Sequence, residues 1–497
     1  MTLGWRVAYE GKTPPPGSVV RPDERLSWPR TVGLGAQHVV AMFGATFVFP
    51  LVMGLNPQLA IMMSGIATIC FLLIVKNKVP SYLGTSASFV GGVAAIRAQG
   101  GDDQQVTGAI LISGVVLLAV GILIHFLGAQ VIHAVLPPVV TGAVVLLIGF
   151  NLAPVVADVY WPQDQWIALI TMLFAIGIMV GARGFVGRIA IFVALVFGYA
   201  LSWIVDRIFG RITSYDAGAG HDTTHWRVNF DAVKSAKWIG FPNKTSGSGA
   251  HQIAGWHFPE FKWAFILLVL PAVIALVAEN TGHVKAVAEM TRTDLDPYMG
   301  RAIAADGVGT VLASAVGGSP TTTYAENIGV MAATRVYSTA AYYVAAIVAI
   351  LFGLSPKFGA IVSATPGGVL GGITVVLYGM IGLLGAKIWV ENGVNFGNPI
   401  NLVPLAAGII IAIGDTKLVF TNTFTLSGIA LGTIVTIGAY HMARALAPRE
   451  MRDRADGAVI ALGDVEATGA PADIPGHHGA HQGAHRGPGD ERSDQQV

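Results

Sequence analysis

The stretch Gly317-Gly318-Ser319-Pro320-Thr321-Thr322-Thr323-Tyr324-Ala325-Glu326-Asn327-Ile328-Gly329 decides the fold. Two glycines, a proline and three threonines lead into a short apolar run that carries an acid and ends at Arg335. A plain lipid-facing helix does not look like this. Broken backbone at membrane depth survives only where protein or a cavity satisfies its N–H and C=O groups. A second stretch of the same kind, Gly84-Thr85-Ser86-Ala87-Ser88 followed by Gly91-Gly92, interrupts the apolar run from Tyr82 to Ala98.

The chain around these breaks is apolar. Hydrophobic residues make up 53% of its 497 residues and charged residues 12%, where a soluble domain carries about 25% charged. Mean hydropathy is +0.62. With roughly 20 apolar residues needed per helical span, the reading is an all-α polytopic membrane protein. Fourteen candidate spans fall near 31–53, 58–75, 82–98, 107–127, 133–156, 165–182, 186–207, 262–283, 300–316, 324–336, 338–354, 366–386, 401–416 and 424–446. The two broken runs are the third and the tenth. They occupy matching places in two halves of seven, and an odd half inverts the orientation of its mate. Interrupted segments in corresponding places of inverted halves point to a transporter's binding site.

The remaining regions are simpler. Residues 1–30 read as a cytoplasmic leader, extended at Pro14-Pro15-Pro16, without a cleavable signal peptide. Residues 31–446 form the transporter domain, and 208–261 within it a long extracytoplasmic loop. Residues 447–497, with His477, His478, His481 and His485 among Gly and Ala, read as a disordered cytoplasmic tail rather than a metal site. Lys and Arg crowd the flanks that become cytoplasmic if both ends lie inside, and the short outer loops hold only Arg97, Lys357 and Lys417. A net charge of +1 suggests no nucleic-acid partner, and the lone Cys70 excludes an internal disulfide and a multi-thiolate metal site.

The chemistry lies in carboxylates inside apolar runs. Glu279 sits in Ile274-Ala275-Leu276-Val277-Ala278-Glu279-Asn280-Thr281-Gly282-His283, and Glu326 four residues after Thr322. Each costs about 2.5–3.5 kcal/mol to insert near the bilayer centre, so a compensating role is expected. Either could instead be an interhelical hydrogen-bond anchor. His283 is one turn from Glu279, on the same face, and suits proton sharing or a helix end. His38 either lines the path or ties helices together. Asp306 is read as a support that orients the tenth span. Two carboxylates with freed backbone N–H groups suit a neutral ring that alternates N–H and C=O, as uracil does. No Lys or Arg lies deep in the third, eighth or tenth span, which argues against an anionic substrate. No nucleophile–base pair or metal-ligand cluster marks an enzyme.

The run Glu326-Asn327-Ile328-Gly329-Val330-Met331-Ala332-Ala333-Thr334-Arg335 resembles the signature motif of the nucleobase–ascorbate transporter family, also called nucleobase:cation symporter-2. Its fixed positions include Asn327, Gly329, Thr334 and Arg335. Gln37-His38-Val39-Val40 through Thr46, Lys78-Val79-Pro80-Ser81-Tyr82-Leu83-Gly84 and Ala278-Glu279-Asn280-Thr281-Gly282-His283 also resemble bacterial uracil:proton symporters.

The likeness covers about residues 30–446. It implies a 7+7 inverted repeat in which the third and tenth spans each run from a short strand into a half-helix. It implies a core domain of spans 1–4 and 8–11 and a gate domain of spans 5–7 and 12–14. By the resemblance, Glu279 and Glu326 accept ring N–H groups and backbone N–H groups at Ala87 and Ala325 face the carbonyls; Ser86 is also read as part of the substrate site, with Phe89 replacing some of the ring surface that a Phe at position 87 would give. His283 supports Glu279. The coupling ion is a proton, no cofactor is used, the assembly is a homodimer, and the location is the bacterial inner membrane. Glu326 at the first motif position resembles the uracil branch. Ala87, where uracil symporters commonly have Phe, widens the pocket and keeps a xanthine or urate permease as the alternative. A passive channel for small neutral solutes is the reading from another class.

Overall fold

The computed structural model describes residues 4–12, 14–15, 18–128, 136–216, 219–242, 245–246, 253–421 and 424–456. The first half contains helices α1 (Trp28–Met53), α2 (Pro57–Ile74), α3 (Val90–Ala98), α4 (Asp103–Leu127), α5 (Pro138–Phe150), α6 (Gln165–Gly181) and α7 (Ala190–Phe209). A short helix, α8 (Asp231–Ser235), lies in the long segment that follows. The second half contains α9 (Trp263–Val269), α10 (Pro271–Thr291), α11 (Asp296–Ser314), α12 (Ala325–Thr334), α13 (Thr339–Gly353), α14 (Pro356–Ser363), α15 (Gly367–Glu391), α16 (Pro399–Ile413) and α17 (Gly428–Leu446). Helix starts follow the local chemistry. Asn56 accepts from the Leu59 N–H ahead of Pro57, and Asp102 from the Gln105 N–H.

Among the described residues, eight helices can cross a membrane by length and composition, or nine if α13 and α14, bent by 82°, count as one span. The sequence reading of fourteen counts shorter pieces as well. Among these, α6 and α16 have 17 and 15 residues, and α3 and α12 only 9 and 10. The start of the last candidate span is corrected: residues 424–427 form a strand paired with Lys417–Thr421, and the helix begins at Gly428.

Two groups of helices make the packing. α1, α2, α4, α11 and α13 pack on one another, and α5, α6, α7, α15, α16 and α17 form the second group. Small residues let the axes approach, as membrane helices require. Gly121 of α4 stands directly against Ala304 of α11, and Gly149 of α5 against Gly382 of α15.

Three terminal and loop regions differ from the sequence reading. The leader is folded rather than extended. Arg6–Val7 pairs with Glu24–Arg25, and Val20 bridges to Val336 beyond α12. The Trp5 indole donates to Thr339 Oγ1 at 2.8 Å. The tail begins as a helix, Arg449–Asp456, and its histidines lie outside the described residues. The long segment 208–261 contains a hairpin, Ile212–Asp216 with His221–His225. It is pinned to the second helix group by Arg227, whose guanidinium bonds Asp164 Oδ2 at 2.6 Å and Asp206 Oδ1 at 3.1 Å. It is pinned to the first group by Gly240 N–H on Leu354 O at 2.9 Å and by His257, which meets Thr107 Oγ1 at 3.1 Å.

The Arg227 triad is largely buried, with side chains 12%, 8% and 7% accessible for Arg227, Asp164 and Asp206. Removing one partner of such a group leaves charges uncompensated and costs about 3–5 kcal/mol. Arg227→Met should therefore lower the thermal unfolding midpoint of the detergent-solubilised protein clearly. An unchanged midpoint would show that the triad contributes nothing.

Candidate functional site

The two interrupted runs meet at the centre of the first helix group. Strand β3 (Leu83–Thr85) pairs antiparallel with β8 (Thr321–Thr323), Leu83 opposite Thr323 and Thr85 opposite Thr321. Three residues cannot satisfy themselves, so neighbouring hydroxyls complete the ladder. Thr68 of α2 accepts from Leu83 N–H at 2.9 Å. Thr310 of α11 accepts from Thr321 N–H at 3.1 Å and donates to Thr321 O at 3.0 Å. One threonine from each half thus clamps one strand.

Tyr324 locks the crossing, donating to Thr85 O at 2.7 Å. Its ring fills the place of a Gly84 side chain: a Cβ there would lie 2.5 Å from the ring. Each strand then turns into a short helix. The 3-10 turn Ala87–Phe89 leads into α3, and Ala325 opens α12. The first-turn N–H groups of such helices have no intrahelical acceptors.

Helix α10 lies against both helix starts and β8. Glu279 on α10 is half-buried and Glu326 on α12 is accessible. Glu279 lies within electrostatic reach of Glu326 and Asp306. Next to them Ala325, Gly329 and Gly282 are accessible, and a Cβ at either glycine would meet nothing within 4 Å. Ala87 is partly accessible. Each of them faces open space beside the two helix starts. Ala332 and Ala333 of α12 and Lys285 and Glu289 of α10 are also accessible, towards the ends at Arg335 and Arg292. Two other grooves, one at Asn398, Pro448 and Met451 and one at Asp164 and Arg227, lie away from these acids.

A chain of hydrogen bonds stands behind the open space. Asn280 donates to Asp306 Oδ2 at 2.7 Å and accepts from Thr323 Oγ1 at 2.9 Å. Thr323 Oγ1 also meets His283 Nδ1 at 2.8 Å. Asp306 Oδ1 and Thr322 Oγ1 face each other without the geometry of a full hydrogen bond. The imidazole that the sequence places beside Glu279 is therefore bonded to the strand rather than to that carboxylate. Asp306 holds α10 and, through Asn280, the strand.

The other sequence candidates divide. Ser86 and Phe89 are fully buried. Ser86 accepts from Ser88 N–H at 3.3 Å as a cap, and Phe89 packs in the core, so neither presents its side chain to the open space. His38 is buried against Tyr342, with ring centroids 4.4 Å apart. Asn327 donates to His38 O at 3.0 Å and to His38 Nδ1 at 3.1 Å. His38 thus ties α1 to α12 and does not line the path. Thr334 Oγ1 donates to Val330 O at 2.9 Å, and Arg335 ends α12 in the left-handed conformation with φ 57°. Asn280, Thr323 and Tyr324 complete the site and went unassigned from sequence. Their only signal was polarity inside an apolar run.

A family model described as the Permease family matches residues 29–420. The chain belongs to the nucleobase:cation symporter-2 family. It is 41% identical over 428 residues to an Escherichia coli protein named "Putative pyrimidine permease RutG", covering 84% of this chain and 90% of that one. It is 33% identical over 427 residues to the uracil permease of Escherichia coli, covering 84% and 91%. In fold it is similar to the murine Solute Carrier 26 family member A9 anion transporter in its inward-facing state, with a TM-score of 0.57, 11% identity and 85% and 69% coverage. This member of the permease family is a multi-pass membrane transporter and not an enzyme.

Two substitutions probe the crossing. Gly84→Ala should force Tyr324 aside, at about 1–3 kcal/mol for overpacking, seen as a lower unfolding midpoint with loss of transport. Thr323→Val should leave Asn280 Oδ1 without its donor, at about 1–3 kcal/mol. Thr323→Ser should recover most of that loss. Equal stability of the Val and Ser variants would show that the chain through Thr323 has no energetic weight.

Proposed function

We propose that this permease takes up uracil together with protons by alternating access. The observation that carries the reading is that Glu279 and Glu326 both reach open space beside the two helix starts, within electrostatic reach of each other. A uracil ring offers N–H donors that two carboxylates accept, through charge-assisted bonds stronger than neutral ones. Its carbonyl oxygens match the first-turn N–H groups at Ala87 and Ala325. Relatives named uracil permease support the same substrate. The proton is the coupling ion and no cofactor takes part.

In this reading the chain has fourteen spans in two inverted sevens. The matched clamps of Thr68 on β3 and Thr310 on β8 support that symmetry. Spans 1–4 and 8–11 form the core domain and spans 5–7 and 12–14 the gate, as the two helix groups suggest. Both termini are cytoplasmic, the membrane is the bacterial inner membrane, and the assembly is a homodimer. The accessible faces of α10 and α12 run to the ends bearing Arg292 and Arg335, which this reading puts on the cytoplasmic side. Rocking of core against gate moves the opening to the other side.

A purine such as xanthine or urate is the second reading. The unfilled space at Gly329 and Gly282 and the small side chain of Ala87 favour it.

Uptake of labelled uracil by cells lacking their own permease tests the proposal. A hydrogen bond to a charged group contributes about 1.5–3 kcal/mol, so Glu279→Gln or Glu326→Gln should reduce uptake roughly 10- to 150-fold. An uncoupler should abolish accumulation, and replacing sodium by choline should not. Wild-type uptake in both Gln variants would remove the site assignment. Stronger competition by xanthine than by thymine would move the substrate to the purines, with Ala87→Phe narrowing it again. Unsaturable uptake would indicate a channel.

A further inference from the structure

The outer segment carries an apolar tip that the transport site does not use. Trp238, Ile239 and Phe241 are 74%, 84% and 59% exposed. They are held in place: Lys357 N–H donates to Lys237 O and Gly240 N–H to Leu354 O, both at 2.9 Å. Gly240 lies against Pro356, where a Cβ would already be 3.1 Å from its ring. The tip is thus fixed to the bend between α13 and α14. The two longer strands of the same segment are mostly polar, reading Ile-Thr-Ser-Tyr-Asp and His-Asp-Thr-Thr-His.

We infer that Trp238–Phe241 is a seat in the phospholipid surface, at the boundary between headgroups and acyl chains. Three observations select lipid as the occupant. The tip is continuous with the outward flank of α13 and α14, where Ile347, Leu351 and Ile361 are 53%, 61% and 42% exposed on apolar helices. It is bonded to Leu354 at the end of α13, a 15-residue apolar helix, and in this proposal that end marks the edge of the hydrocarbon. The Lys357 ammonium sits 4.9 Å from the Trp238 ring centroid. An indole with a lysine beside it fits this depth, the ring among the upper acyl chains and the cation near lipid phosphate. The segment is then a membrane-seated element and not a freely solvated loop. The inference does not depend on the substrate.

Nitroxide accessibility tests it. Ile239→Cys and, as an aqueous reference, Thr224→Cys would each be labelled in the Cys70→Ser full chain. Each would be reconstituted in nanodiscs of phosphatidylethanolamine and phosphatidylglycerol. Ile239 and Thr224 are both exposed, so neither label disturbs the fold. The label at 239 should collide with oxygen in preference to a water-soluble nickel chelate, and the label at 224 should show the reverse. A nickel preference at 239 matching that at 224 would overturn the inference. So would protection of 239 from both reagents, which would place a second copy or another protein on the tip.

Discussion

A peptide group in hydrocarbon must find a partner inside the protein, and the rest of this structure follows from how two broken segments meet that demand. Neither Leu83–Thr85 nor Thr321–Thr323 is long enough to be satisfied alone. Paired with each other, they complete each other's ladder, and Thr68 and Thr310 supply what the pair lacks. The pairing brings together chain segments more than 230 residues apart and sets two helix starts side by side. The first N–H groups of a helix have no intrahelical acceptors, and at the first of these starts Ser86 caps the Ser88 N–H.

The acids are divided by what holds them. Asp306 is fully buried and bonded to Asn280, which passes the constraint to Thr323 and His283. It serves as an anchor. Among the described residues no ion pair joins Glu279 or Glu326 to a basic side chain. An intramembrane acid without a cation retains its capacity to accept a ligand's donors. Glu279 and Asn280 are neighbours on α10, yet Asn280 is buried against the strand and Glu279 is only half-buried.

Contacts between distant segments also tie the periphery to this centre. The leader reaches Val336 and Thr339, immediately after the half-helix that carries Glu326. The segment 208–261 is fastened to one helix group through Arg227 and to the other through Gly240 and His257. Composition had marked both regions only as polar linkers. Their order comes from a few specific pairs, such as a guanidinium between Asp164 and Asp206, and such pairs leave no periodic trace in the sequence.

Sequence by itself determined the solvent, the position of the breaks and the residues of interest. Apolar runs, glycines, a proline and two intramembrane acids are local properties with a local cost, so they can be read one after another. Only the tertiary structure decided what each polar residue does. Ser86 and Phe89 look as available as Ala87 in the sequence, yet the 3-10 turn leaves only Ala87 accessible. His283 shares a helix face with Glu279, but Thr323, forty residues away, is its partner. His38 is equally suited to lining or bracing until Asn327 and Tyr342 enclose it. A hydrogen bond depends on distance and angle between groups far apart in the chain, and the sequence specifies those only through the whole fold.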